Sequence, residues 1–149
     1  MSGAHNRVAV MHGVNLDTLG RRDPKVYGTE TLSELEYRVH TWARELDLEA
    51  SFFQTNHEGE FCEYLHRLPE TADAVLLNAG AWTHYSWAIR DALEMAAKPA
   101  IEVHISDVSK RQDWRAVSVF DGLVAGVVAG KGIDGYRDAL ALLRGELEL

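Results

Sequence analysis

Two places in this chain carry residue types that can move protons. The first lies between Gly20 and Gly28, where Arg21, Arg22 and Tyr27 share one loop just after a short apolar run, Val8 to Met11. A phenol ionises near pH 10, so about one in a thousand is phenolate at neutral pH, a gap of roughly 4 kcal/mol. One cation about 4 Å away supplies on the order of 4 kcal/mol at an effective dielectric near 20. A single arginine, Arg22 or Arg21, is therefore enough to make Tyr27 a base, provided that the loop closes as a lid and excludes water. Long loops inside compact domains are usually functional. The second place is Glu102-Val103-His104. Residues two apart on a strand face the same side. A carboxylate beside an imidazole fixes its tautomer and favours its protonated form, which makes a general acid. Each place has a plainer alternative: Tyr27 packing its loop down, and His104 as a core histidine satisfied by a structural carboxylate.

The elements that must position these groups follow from periodicity. Apolar runs at Val8–Met11, Ala50–Phe53, Ala74–Leu77, Ala100–Ile105 and Leu123–Ala129 predict five strands. Between them lie a helix opened by the capping box Thr31-Leu32-Ser33-Glu34 and running to about Leu46, and helices near Glu60–Arg67, Ser86–Ala97 and Gly135–Glu146. Pro99 ends the third of these, and a short helix is expected around Lys110–Arg115. Strands alternating with helices imply right-handed crossovers and a parallel sheet. Unbroken Val, Ile, Leu and Ala runs fit strands covered on both faces. The expected fold class is α/β: a flavodoxin-like, doubly wound five-stranded parallel sheet with helices on both faces, forming a single domain over residues 1–149.

In such sheets ligands bind beyond the carboxyl ends of the strands. There the chain places Asn15 after the first strand, Asn56, His57 and Glu58 after the second, Asn78, Thr83 and His84 after the third, and Glu102, His104 and Ser106 at the fourth. Turn chemistry alone predicts more Gly, Asp and Pro at these positions. Arg111 and Arg115 downstream suit an anionic, hydroxylated ligand, because a guanidinium fork matches a carboxylate. Their plain alternative is a solvated helix face. Gly130-Lys131-Gly132-Ile133-Asp134-Gly135 matches GxGxxG, but no later strand supplies the acidic residue that a dinucleotide site needs, so a tight strand-to-helix turn is the better reading. The His57–Glu58 pair is not a metal-ligand spacing.

Composition sets the outer bounds. The 149 residues, 46% hydrophobic and 26% charged, make ordinary globular material. A formal net charge of −8 without any basic stripe argues against nucleic acid. It also means that local arginines must overcome an acidic whole if the ligand is an anion. The one cysteine, Cys62, reads as buried filler and cannot form an internal disulfide. The start, Met1 to Asn6, is polar with no signal-peptide core, and no apolar run is long enough to span a bilayer. A cytoplasmic protein is expected.

Taken together, these residues resemble the type II 3-dehydroquinases. The resemblance runs over nearly the whole chain: Asn15-Leu16, Leu19-Gly20, Arg22, Pro24 and Tyr27-Gly28; Gln54 to Glu60; Asn78-Ala79-Gly80-Ala81 with Thr83-His84; Ala88 to Ala92; Glu102 to Ser106; Arg111, Arg115 and Gly132 to Tyr136. It implies dehydration of 3-dehydroquinate to 3-dehydroshikimate through an enolate, without metal or cofactor. Carried over, Tyr27 is the base, and Arg22 stabilises its anion and closes the lid. Asn15 helps to stabilise the enolate, and His104, oriented by Glu102, protonates the departing hydroxyl. Asn78, His84, Ile105, Ser106 and Arg115 hold the substrate, and Asp91 reaches a neighbouring subunit's site. Trimers assembled into dodecamers are implied, with no nucleic acid or membrane partner.

Three departures stand out. The family's usual Asn-Gly-Pro-Asn is His12-Gly13-Val14-Asn15, and losing the proline frees the backbone before Asn15. Asp107 stands where Asn is usual after Ser106, and its charge would weaken carboxylate binding if it faced inward. These departures fit a second reading, a diverged lyase for a related cyclic hydroxy-acid. A third reading, a non-catalytic flavodoxin-like binding module, leaves the joint presence of Arg22, Tyr27, Glu102 and His104 unexplained.

Overall fold

In a computed structural model, which describes residues 5–149, five parallel strands form one sheet in the order β2-β1-β3-β4-β5. The start of the chain, including the signal-peptide expectation for Met1 to Ala4, lies outside the described residues. The strands are β1 (Arg7–His12), β2 (Glu49–Gln54), β3 (Ala74–Asn78), β4 (Ala100–His104) and β5 (Gly126–Ala129). The helices are α1 (Pro24–Tyr27), α2 (Leu32–Glu45), α3 (Glu58–Thr71), α4 (Trp87–Ala96) and α5 (Gly135–Glu146). None is long and apolar enough to cross a membrane.

The strand order reverses between β1 and β3, where His12 is in register with Asn78. Every residue of β3 and β4 is buried, as continuous apolar runs require, and β1 is exposed only at Arg7. The sheet separates two cores. On one face α2 and α5 close over Val8, Val10, Leu76, Ile101 and Val103. On the other, α3 and α4 cover Ala9, Met11, Val75 and Leu77.

The capping box forms as the sequence dictates. Thr31 accepts from the Glu34 amide, and the Glu34 carboxylate accepts from the Thr31 amide. α5 keeps its expected limits, but five other expectations need correction. The helix expected near Glu60–Arg67 runs from Glu58 to Thr71, because Pro69 sits inside it without ending it. The fifth strand begins only at Gly126, since residues 120–124 turn back on themselves, with the Leu123 and Val124 amides both donating to the Phe120 carbonyl. The helix expected at Lys110–Arg115 is two separate 3₁₀ turns, Val108–Lys110 and Asp113–Ala116. The glycine-bracketed lid holds a helix of its own, α1, with Asp23 as its cap and Pro24 at its first position. Cys62 is only partly buried, against the α3–α4 core.

A half-buried clamp links the start of β1 to the residue before β3. Arg7 grips the Asp73 carboxylate with two guanidinium contacts of 3.1 Å, and the Arg7 amide donates to the same carboxylate at 2.9 Å. These bonds hold the Asp73 carboxyl down at about 2. A pKa lowered on folding adds stability that is complete above the unfolded value near 3.8 and is lost as pH falls through about 2. Asp73→Asn should therefore be less stable than wild type at pH 7. The gap should narrow below pH 4 and close near pH 2, as urea unfolding at a series of pH values would read.

Candidate active site

The carboxyl ends of β1, β3 and β4 open into one cleft, with about 530 Å³ of atom-free space including its mouth. Asn15, Arg22, Tyr27, Asn78, His84, His104, Ile105, Ser106 and Arg115 all line it, as expected from the sequence, and Arg111 joins them. Glu102 stands behind His104 rather than in the wall. Asp91 lies on the exposed face of α4 and does not line the cleft of its own chain.

Tyr27 comes to the cleft because α1 folds the lid over it. Its hydroxyl accepts from Arg111 Nη1 at 2.7 Å, and the same nitrogen is 3.4 Å from Ser106 Oγ. Arg22 stands differently from expectation: its guanidinium lies over the tyrosine ring, 3.9 Å from the centroid, instead of facing the oxygen. Arg21 is exposed and does not line the cleft. The cation at the phenol oxygen is thus Arg111, which the sequence reading had assigned to the ligand. A local arginine–tyrosine pairing is what sequence proximity suggests. Only the fold brings residue 111 beside residue 27.

His104 Nε2 is 2.5 Å from Glu102 Oε2, with both side chains almost wholly buried. Glu102 is itself held by Ser118 Oγ, which donates to Oε1 at 2.9 Å and accepts from the Phe120 amide at 3.1 Å. Ser118 is thus a third member that sequence reading missed, because its partner lies sixteen residues away. With Nε2 committed to Glu102, the free ring nitrogen of His104 is Nδ1.

His84 stacks beside His104, ring centroids 6.3 Å apart. Its Nδ1 meets the Val117 carbonyl at 2.6 Å, so Nδ1 must be the protonated nitrogen and Nε2 an acceptor. Burial lowers its pKa, with the Val117 bond opposing and His104 and Arg115 adding to the effect. A neutral His84 offering Nε2 suits a hydroxyl donor.

Three arginines, Arg22, Arg111 and Arg115, face this cleft, and among the described residues none has an ion pair with a carboxylate. Burial first, then the neighbouring Arg111, lowers the Arg115 pKa. This cluster resolves the conflict between an acidic chain and an anionic ligand: the positive charge is concentrated where it is needed and left unneutralised.

Two hydrogen bonds hold the backbone around Asn15, where the family's usual proline is absent. Gln54 Nε2 donates to the Gly13 carbonyl at 3.2 Å, and the Asn15 amide donates to Asn56 Oδ1 at 2.8 Å. Asn15 adopts left-handed φ 70°, ψ −1°, a conformation that asparagine tolerates. Asp107 turns away from the cleft and caps the turn after β4, accepting from the Ser109 amide and hydroxyl at 3.2 and 2.6 Å. The GxGxxG segment is a tight turn, and the Gly130 and Gly132 amides are already bonded to the Ser106 and Ile105 carbonyls.

Residues 6–144 match the family model of Dehydroquinase class II. The chain is 49% identical to the 3-dehydroquinate dehydratase of Syntrophotalea carbinolica, covering 88% of this chain and 89% of that protein. It is 43% identical to the one of Thermotoga petrophila, covering 95% and 97%. The crystal structure of the type II dehydroquinase from Propionibacterium acnes superposes with a TM-score of 0.88 at 39% identity, covering 94% and 97%. The one from Butyrivibrio crossotus gives 0.90 at 36%, covering 95% and 99%. A doubly wound sheet with this cleft defines an α/β enzyme fold with a site for a small hydroxylated anion. The chain belongs to the type II dehydroquinase family.

Gly80 ties the loops of this cleft together. Its φ is +65°, and a Cβ there would stand 2.6 Å from the Val14 carbonyl oxygen. Gly80→Ala should destabilise by roughly 2 kcal/mol or more, through left-handed strain plus a clash with backbone. A drop in urea midpoint at unchanged m-value would read this.

Proposed function

We propose that the protein is a single-domain 3-dehydroquinate dehydratase of type II, converting 3-dehydroquinate to 3-dehydroshikimate. The observation that carries the reading is the Tyr27 hydroxyl bonded to Arg111 within a cleft that also holds the buried Glu102–His104 pair. In this scheme Tyr27 takes the proton next to the substrate ketone. A charge-assisted bond from Arg111 stabilises negative charge on the phenol oxygen, while Arg22 covers the ring and keeps water out. The electron pair moves to the ketone oxygen as an enolate, which Asn15 stabilises through a bridging water. Collapse of the enolate expels the hydroxyl on the neighbouring carbon, which leaves as water with a proton from His104. Glu102 orients His104 and Ser118 orients Glu102.

Arg115 and Ser106 suit the carboxylate, and Asn78, His84 and the Ile105 backbone suit the hydroxyls. Asp91, exposed on α4, would act in a neighbouring subunit's cleft, in trimers assembled into a dodecamer. A cytoplasmic site of action agrees with the lone cysteine. The alternative of a related cyclic hydroxy-acid rests chiefly on Val14. Of the three departures only Val14 lines the cleft, while His12 and Asp107 do not.

The purified protein should convert 3-dehydroquinate without added cofactor, read as the ultraviolet absorbance of the conjugated enone, and resist EDTA and borohydride. A folded protein that gives no product refutes the reading. Tyr27→Phe should lower kcat by about 10²- to 10⁴-fold with folding intact. Arg111→Ala should lower kcat more than it raises KM, and the opposite split would make Arg111 a binding residue only.

A further inference from the structure

Beneath the cleft, on the α5 side of the sheet, lies a buried polar chain that the catalytic scheme does not use. His12 Nε2 is 2.9 Å from the Tyr136 hydroxyl, which is 3.4 Å from Asn78 Nδ2. His12 and Tyr136 are wholly buried and Asn78 is nearly so. His12 and Asn78 are register partners on β1 and β3, at the point where the strand order reverses.

The donors and acceptors fix how this chain works. Asn78 Oδ1 accepts from the Gly80 amide at 3.1 Å, so the other end of the same amide, Nδ2, donates to the Tyr136 oxygen. The tyrosine's own proton is then free for His12 Nε2. That requires the proton of the neutral ring to sit on Nδ1, which is buried and has no protein partner. If Nε2 donates instead, the Tyr136 proton is left without an acceptor among the described residues. The first arrangement strands one hydrogen-bonding group in the interior and the second strands two, Nδ1 among them, so the first is the better one and its remaining cost needs an explanation. Burial holds the His12 pKa near 4, so the ring is neutral at ordinary pH and the chain is intact. At its far end, Asn78 lines the substrate cleft.

We propose that His12 is a positioning residue for Asn78, acting through the Tyr136 hydroxyl. It fixes the rotamer of a cleft amide without touching the ligand. The inference rests on the dehydratase reading for its kinetic test only. The reach of the side chain supplies the test. A glutamine amide extends as far as histidine Nε2, whereas an asparagine amide ends at the level of Nδ1 and falls short of Tyr136.

The kinetics of wild type, His12→Gln, His12→Asn, Tyr136→Phe and the His12→Asn/Tyr136→Phe double variant decide the matter, with urea unfolding alongside. His12→Gln should keep KM within about twofold of wild type. His12→Asn and Tyr136→Phe should each raise KM roughly three- to tenfold, the scale of one lost hydrogen bond. The double variant should be no worse than the worse single one, because one chain is cut twice. Wild-type KM in His12→Asn, failure of His12→Gln to restore it, or multiplicative effects in the double variant would overturn the proposal. If either asparagine or phenylalanine variant does not fold, the remaining single variant and His12→Gln carry the comparison. An inactive wild type would sink the dehydratase reading and leave this one to NMR. The Asn78 side-chain amide signals should then stay in place in His12→Gln and shift in His12→Asn, and unmoved signals in His12→Asn would overturn it.

Discussion

The parallel pairing of β1 with β3 is the constraint on which the rest of the site depends. Because all five strands run the same way, every carboxyl end reaches the same edge of the sheet. Because the order reverses between β1 and β3, the loops after these strands part in opposite directions and leave a crevice. Asn15, Asn78 and His104 come from three different strand ends and meet there without any one loop spanning the distance. The Arg7–Asp73 clamp at the amino ends and the Gly13 amide bonded to the Asn78 carbonyl at the carboxyl ends fasten this pair from both sides. Polar groups at the base of the crevice are thereby set on the buried ends of the central strands.

Onto this rigid base the chain adds charge that is not neutralised. Surface ion pairs elsewhere, such as Arg38–Glu30 and Lys131–Asp138, are exposed and worth little. Among the described residues the cleft arginines have no acidic partner, even though acidic residues outnumber basic ones in the chain, 23 to 15. Asp107 illustrates the rule. Its carboxylate sits one residue from Ser106 but is occupied by Ser109 and Lys110, outside the cleft.

Most of the sheet was legible in the sequence because the apolar runs of β1, β3 and β4 are buried on both faces and so were unbroken. The fifth strand was read too long, since apolar residues 123–125 belong to a turn whose hydrogen bonds leave no trace in hydropathy. Lid helix α1 escaped notice because four residues are too few for a period to appear. The site residues that flank strands were found from position and chemistry. The contacts Arg111–Tyr27 and Ser118–Glu102 were not, since each joins residues far apart in sequence, and no local pattern records such a partner. The hydrogen bonds that hold the backbone around Asn15 left no trace in the sequence for the same reason: they come from Gln54 at the end of β2 and Asn56 in the loop after it.

The bond between Arg111 and Tyr27 has one further consequence. Tyr27 rides on the lid, and Arg111 belongs to the segment beyond β4. The contact proposed to ready the phenol joins these two segments across the cleft. On the proposed mechanism, a molecule open to solvent is therefore disarmed, and an armed molecule is shut. On that mechanism, the contact that arms the base is made across the mouth of the cleft, between two segments that are far apart in the chain.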